Sequence, residues 1–249
     1  MIDKRLKTIN IVNMKGRSMK LMNRSNHQGV VENLREYNLK KKIKEQLKII
    51  NPILIKKETD IKVHLLNALK NGVITQSEAD FLEIKMVLGR MCLELEQVLD
   101  SIYVTMLFYD SESNNIFHGS APSIPVEFFD FFSTVNERGI LDENCASCGR
   151  AIYTQEVVQT DIETSPLWTN LKEMVIDYGF KSCTSIPFFT NSGRLAGTFA
   201  HYSNKPNNLL TKDEVEMIQE KISMFSYEIQ KLSDLIHVYT RVGNARMTI

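Results

Sequence analysis

Between Phe81 and Ile102 the apolar side chains Phe81, Ile84, Leu88, Met91, Leu95, Val98 and Ile102 recur at alternating three- and four-residue steps. That is the 3.5-residue rhythm of a helix presenting one narrow apolar seam. Thr75 and Glu78 stand just before it at capping-box spacing, where each side chain satisfies the other's orphan backbone N–H. The arrangement returns near the other end: Thr211 and Glu214, then Val215, Ile218, Ile222, Phe225, Ile229, Leu232 and Ile236. Two flanking helices with coiled-coil-like stripes are predicted. The strict period favours pairing with a second copy, which nominates Ile84, Leu88, Met91, Leu95, Ile218, Ile222, Phe225 and Ile229 as a homodimer interface. Packing on the chain's own sheet would bury similar stripes.

Strand-like runs lie between these helices, at 102–109, 115–118, 156–160, 183–189 and 194–202, rich in β-branched and aromatic residues. Asn191-Ser192-Gly193 separates the last two and predicts a hairpin turn, because Asn and Gly tolerate positive φ. Helices are predicted over 125–132, 147–153 and 166–178, with Ser147 as the cap of the second. Gly149 suits the close approach of another backbone. Gly197, inside the last strand, calls for a close neighbour, and a helix is expected there. The class is α+β: an antiparallel sheet with interspersed and flanking helices, preceded by a helical extension.

The N-terminal part reads differently. Residues 1–27 are polar and aperiodic and are expected to be disordered. Residues 28–74 form a basic helical extension, in which Leu39, Ile43, Leu47 and Ile50 line one face before Pro52 stops the helix. A second helix over 60–70 is predicted to end at Asn71-Gly72. The main domain, with its flanking helices, is assigned to 75–240.

The chain of 249 residues is neutral overall, yet its first fifty residues hold thirteen Lys or Arg against four Asp or Glu, a net +9, which leaves −9 for the remainder. The basic run at Lys40, Lys41, Lys42, Lys44 and Lys48 reads as a solvated helix face. Only Tyr37 is aromatic there, so the interleaving expected of nucleic-acid readout is missing. A helix-turn-helix over 60–83 would bring Glu78, Asp80 and Glu83 against phosphates, which argues against DNA. Asn10 and Asn13 interrupt any signal core, no apolar run is long enough to span a bilayer, and four cysteines without a framework suit a reducing compartment. A cytoplasmic location is expected.

Four segments in order carry a resemblance to a known family: HGSAPSIP from His118, CGRAIYTQEVVQTDIETSPLW from Cys148, GFKSCTSIPFF from Gly179 and GRLAGTFAHY from Gly193. Together they resemble GAF domains of the kind attached to bacterial sensor kinases and cyclic-dinucleotide enzymes. The resemblance implies a sensory, non-catalytic module with a pocket between the sheet and a roof formed by the loop after Asp161. It nominates Tyr153, Asp161, Trp168, Phe180, Cys183 and His201 as lining residues. Trp168 and Phe180 also suit a plain core role, and Asp161 a loop cap.

Cys145 and Cys148 form a C-x-x-C pair. A thiol- or metal-based redox sensor using Cys145, Cys148 and Cys183 is the alternative, with a thiolate favoured at the predicted helix N-terminus. Against it, no second C-x-x-C exists and His118 and His201 are not at ligand spacing. No G-x-S-x-G, phosphate-binding loop or H-E-x-x-H is present, so no enzyme is expected. The leading expectation is a regulatory module that binds a small molecule of unknown identity, needs no cofactor that the sequence specifies, and signals through dimerisation helices to a separate output protein. A dimerisation or interaction protein without a ligand is the third reading.

Overall fold

The computed structural model describes residues 58–99, 101 and 103–247. Residues 1–57 with their expected basic helix, and Ile102, lie outside the described residues. Helix α1 (Glu58–Lys70) leads into α2 (Gln76–Val98), β1 (Tyr103–Asp110) and β2 (Asn115–Ser120). A 3₁₀ turn at Val126–Phe128 opens α3 (Phe129–Arg138), followed by α4 (Ala146–Thr154) and β3 (Val158–Asp161). After a second 3₁₀ turn, Pro166–Trp168, come α5 (Lys172–Ile176), β4 (Ser182–Phe189), β5 (Leu195–Ser203), α6 (Lys212–Ser223) and α7 (Ser226–Met247).

Both capping boxes form. The Glu78 and Glu214 amides donate to the Thr75 and Thr211 hydroxyls, and the carboxylates accept the Thr75 and Thr211 amides at 2.7 Å each. Gly72 takes φ +66° where α1 stops, as the Asn-Gly pair predicts. Ser147 does not cap α4. Cys145 occupies that position without a side-chain hydrogen bond, and the Ser147 hydroxyl turns inward instead.

The five strands form one antiparallel sheet in the order β2-β1-β5-β4-β3, with β4 and β5 joined by the expected hairpin. Central β5 is paired on both sides and buried along almost its whole length. At Gly197 an added Cβ would collide with the Leu107 carbonyl of β1. The close neighbour is thus a strand and not the expected helix, and the missing side chain is what lets β1 and β5 approach beside an irregularity in the β4–β5 register.

Side chains alternate across the sheet. One face carries Val104, Met106, Phe108, Ile186, Phe188 and Phe199 and is covered by α2, α6 and α7. The other carries Leu107, Cys183, Ala200 and Tyr202 and is covered by α3, α4 and the segment around Trp168. The terminal-helix seams therefore pack within the chain, the alternative to pairing with a second copy. Ile84, Leu88, Met91, Leu95, Ile218, Ile222 and Ile229 are buried on the chain's own sheet, and Phe225 packs partly buried beside them. An antiparallel sheet left bare on one face must be covered, and these seams cover it. The apolar side chains that remain exposed on the terminal helices are others: Val98, Met224, Tyr227, Leu235 and Val238.

The C-terminal stripe is also not one continuous helix. The Ser223 hydroxyl returns to the Glu220 carbonyl at 2.7 Å and the chain breaks at Met224–Phe225. A side-chain hydroxyl competing for a helix carbonyl bends the axis. The break lets α7 turn so that His237 Nδ1 reaches Asp110 Oδ1 of β1 at 3.0 Å. Ile222→Ala is expected to destabilise the fold by about 2–5 kcal/mol without changing the oligomeric state. Urea denaturation with light scattering checks both.

Candidate ligand site beneath the Trp168 roof

The segment from Asp161 to Phe180 folds over the sheet face opposite the terminal helices. Ser165 caps the turn at Pro166–Trp168 by accepting the Leu167 amide, and proline at the first position fixes its start. This drops Trp168 inward until it is almost fully buried, with its indole N–H donating to Thr160 Oγ1 at 2.9 Å. The Thr160 hydroxyl is a junction. It lies 2.7 Å from Ser147 Oγ of α4 and 3.4 Å from the Cys183 carbonyl of β4. Next to it, Ser185 Oγ sits 3.2 Å from Cys148 Sγ and 3.7 Å from Cys183 Sγ. The Thr105 and Thr198 hydroxyls are buried on the same sheet face. A polar floor of hydroxyls and thiols thus underlies an aromatic roof.

Phe180 belongs to the wall. It stacks on Tyr202 with ring centroids 4.4 Å apart, and Phe128 and Tyr103 meet it edge-on at 5.3 and 5.6 Å. Offset and edge-to-face pairs of this kind add about 0.5–1.5 kcal/mol each beyond their burial. Trp168, Phe180 and Cys183 thus share one buried cluster on this face of the sheet.

The other three nominees lie elsewhere. Tyr153 is half exposed at the end of α4, where its hydroxyl donates toward Asn114 Oδ1 and the Leu141 carbonyl, both at 3.2 Å, and braces the β1–β2 loop. Asp161 is the loop cap. Its carboxylate accepts from the Glu163, Thr164 and Asn207 amides and the Thr164 hydroxyl, all at 3.1 Å. Slight desolvation pushes its pKa up, but these hydrogen bonds outweigh it and hold the carboxyl below the usual range. His201 points to the other face, one residue out of phase with Tyr202, toward Glu214 of α6. Its two ring nitrogens are buried without hydrogen bonds, and burial lowers its pKa to about 4 against a small opposing pull from Glu214. Period-2 alternation separated it from the pocket, and its register relative to Tyr202 was readable from the sequence.

The thiols do not ionise readily. Burial, with smaller contributions from Cys148 and Asp142, pushes Cys145 up to about 12. Burial also raises Cys148, and hydrogen bonds from Ser185, Thr198 and Tyr202 only partly offset it. Cys183 moves in the same direction for the same cause. Desolvation outweighs the helix terminus that was expected to favour a thiolate. All four cysteines are free and buried, and no group of three His, Cys, Asp or Glu side chains among the described residues could hold a metal ion. Sequence reasoning missed Ser147, Thr160, Ser185, Thr105 and Thr198. Small hydroxyl residues at inward strand positions were the available signal.

A sheet covered by terminal helices on one side and roofed on the other is the arrangement the four sequence segments implied, and the comparison bears this out: the GAF domain family matches residues 83–225, more than half of the chain. The chain belongs to the GAF domain family. It is similar to the methyl sulfide methyltransferase-associated sensor of Methanosarcina acetivorans, 24% identical over 128 residues, which is 50% of this chain and 12% of that protein. Among solved structures it is similar to a GAF domain/HD domain protein from Geobacter sulfurreducens. That match has 12% identity and a TM-score of 0.47, covering 62% of this chain and 96% of the other. It is also similar to a type II free methionine-R-sulfoxide reductase from Thermoplasma acidophilum, with 11% identity and a TM-score of 0.47 over 61% and 96% of the two chains.

Thr160→Val keeps the shape but leaves the Trp168 N–H and Ser147 hydroxyl unsatisfied. It is expected to cost about 1–3 kcal/mol and to shift the emission of Trp168, the chain's one tryptophan, as measured by fluorescence-monitored urea unfolding. The depressed His201 pKa means that the unfolded chain binds a proton between the ordinary value of 6.5 and about 4 while the folded chain does not. Stability is therefore complete above about pH 6.5 and falls as pH drops toward 4, by up to about 1.4 kcal/mol per pH unit for this group. Denaturation of His201→Phe across the same range should show a shallower fall.

Proposed function

We propose that this domain, over residues 75–240, is a non-catalytic sensory module that binds a small molecule beneath the roof and passes occupancy to its terminal helices. The observation that supports this most directly is the single hydrogen bond from Trp168 to Thr160. It closes a roof over buried hydroxyls and thiols that lie within reach of one another. A ligand that displaces the indole takes over the Thr160 hydroxyl and gains Ser147, Ser185, Thr105 and Thr198 as further partners. Its hydrogen-bonding groups are accordingly neutral or weakly polar, because among the described residues no buried Lys or Arg lies on this face and a buried anion would be uncompensated.

Occupancy shifts a population between a closed, filled state and an opened one. Cys183 and Thr184 are neighbours on β4 that face opposite layers, and so are Tyr202 and His201 on β5. Movement under the roof therefore reaches the faces packed on α2, α6 and α7. A partner protein or a second copy would read that movement on the outer sides of α2 and α7. There a groove of about 290 Å³ is lined by Asp80, Glu83, Val87, Tyr227, Glu228 and Lys231. No helix among the described residues is long and apolar enough to cross a membrane, and we place the module in the cytoplasm with its output on a separate protein. The named sensor among its relatives supports a signalling role.

Native mass spectrometry of protein purified from cells tests the reading. We expect a bound organic species whose removal changes Trp168 emission and whose return raises the melting temperature. A protein that carries nothing and whose Trp168 emission ignores a panel of neutral metabolites would overturn it.

A further inference from the structure

Lys85, near the middle of α2, is the one Lys or Arg that is buried among the described residues, only 8% exposed. Its Nζ donates to the His118 carbonyl oxygen at 3.0 Å and lies 3.0 Å from His118 Nδ1, with the Phe81 ring 5.5 Å away. No carboxylate among the described residues pairs with it. A buried ammonium without a counter-ion gives up its proton in preference to remaining charged. Burial accordingly lowers Lys85 to about 7. His118 is held neutral by burial and by the Lys85 charge, its ring packs 4.2 Å from that of Phe129, and its Nε2 is buried with no partner.

A neutral amine touching a neutral imidazole is the pairing that carbonyl addition requires, a nucleophile with a group that can take and return its proton. The pair lies close to the surface: His118 is on β2, the outer strand of the sheet, and this residue, like the flanking Phe81 and Phe129, is only partly buried. This site lies apart from the floor under Trp168 and uses none of its residues.

We propose that Lys85, with His118 as its proton shuttle, captures small aldehydes as an imine beside the outer strand of the sheet. The Nζ lone pair attacks the carbonyl carbon and the C=O pair moves to oxygen. His118 Nδ1 carries the two Nζ protons in turn to that oxygen: the first gives the carbinolamine hydroxyl, and the second lets it leave as water, the C–O bond breaking as the C=N bond forms. The sum is amine plus aldehyde to imine plus water, with no oxidant or reductant.

Reductive labelling of the full chain with acetaldehyde and sodium cyanoborohydride at pH 7, followed by peptide mapping, tests this. About half of Lys85 is neutral at that pH, against fewer than about one in a thousand for an ordinary lysine. Even after steric hindrance Lys85 should be ethylated at least ~10-fold faster than the mean of the other lysines. His118→Gln should slow Lys85 labelling by about tenfold while leaving the labelling of surface lysines unchanged. If Lys85 stays unmodified in the folded chain while surface lysines accumulate label, or reacts only in urea, the proposal is wrong and the pair is structural. Equal labelling in His118→Gln and the native chain would remove His118 from the role.

Discussion

Burial of both faces of one five-stranded sheet is the constraint from which the rest of this domain follows. Because successive residues of a strand point to opposite sides, every strand residue is committed either to the terminal-helix layer or to the roof layer. Phe199 joins one and Ala200 the other, and Ile186 and Ser185 divide in the same way. A strand shifted by one residue would place hydroxyls against Leu88 and Met91 and phenyl rings against Ser147. Gly197 is the point of greatest restriction, since the Leu107 carbonyl fills the space of any side chain there. The two layers are thus built on the same backbone, which is why a change under the roof has a short route to the helices.

The electrostatics follow from the same burial. Cys145, Cys148, Cys183, His201 and Lys85 each move toward the uncharged form, in opposite pKa directions for acids and bases, with desolvation as the largest cause. A helix N-terminus offers a few tenths to one kcal/mol to an anion, roughly, which is less than the cost of leaving water. The floor beneath Trp168 is neutral but rich in hydroxyls. Half-buried Asp161 is the contrast: desolvation raises its pKa, but four hydrogen bonds together outweigh it and hold the carboxyl below the usual range.

Much of this was legible in the sequence. Both capping boxes, the Asn191–Gly193 turn, the five strands and the GAF family relationship are carried by short-range chemistry that survives translation into three dimensions. The coiled-coil reading of the seams misled because a helix covering a sheet and a helix pairing with another present the same stripe. Only the bare sheet face decides between them. His201 was misplaced because family position, not strand parity, assigned it to the pocket. Ser147 and Lys85 could not be read at all: a serine near a helix start is usually a cap, and a lysine inside a helix is usually solvated. Each was turned inward by partners distant in the chain, Thr160 and His118.

The central claim is that the roof and the terminal helices are coupled through the sheet, and amide hydrogen exchange of the native chain against Thr160→Val tests it most directly. Loosening Trp168 should raise exchange along β4 and β5 and in the α2 and α7 segments that pack on them, more than 10 Å of structure away in order of magnitude for layers spaced as packed sheets and helices are. Faster exchange confined to residues 161–180, with α2 and α7 unchanged, would contradict it.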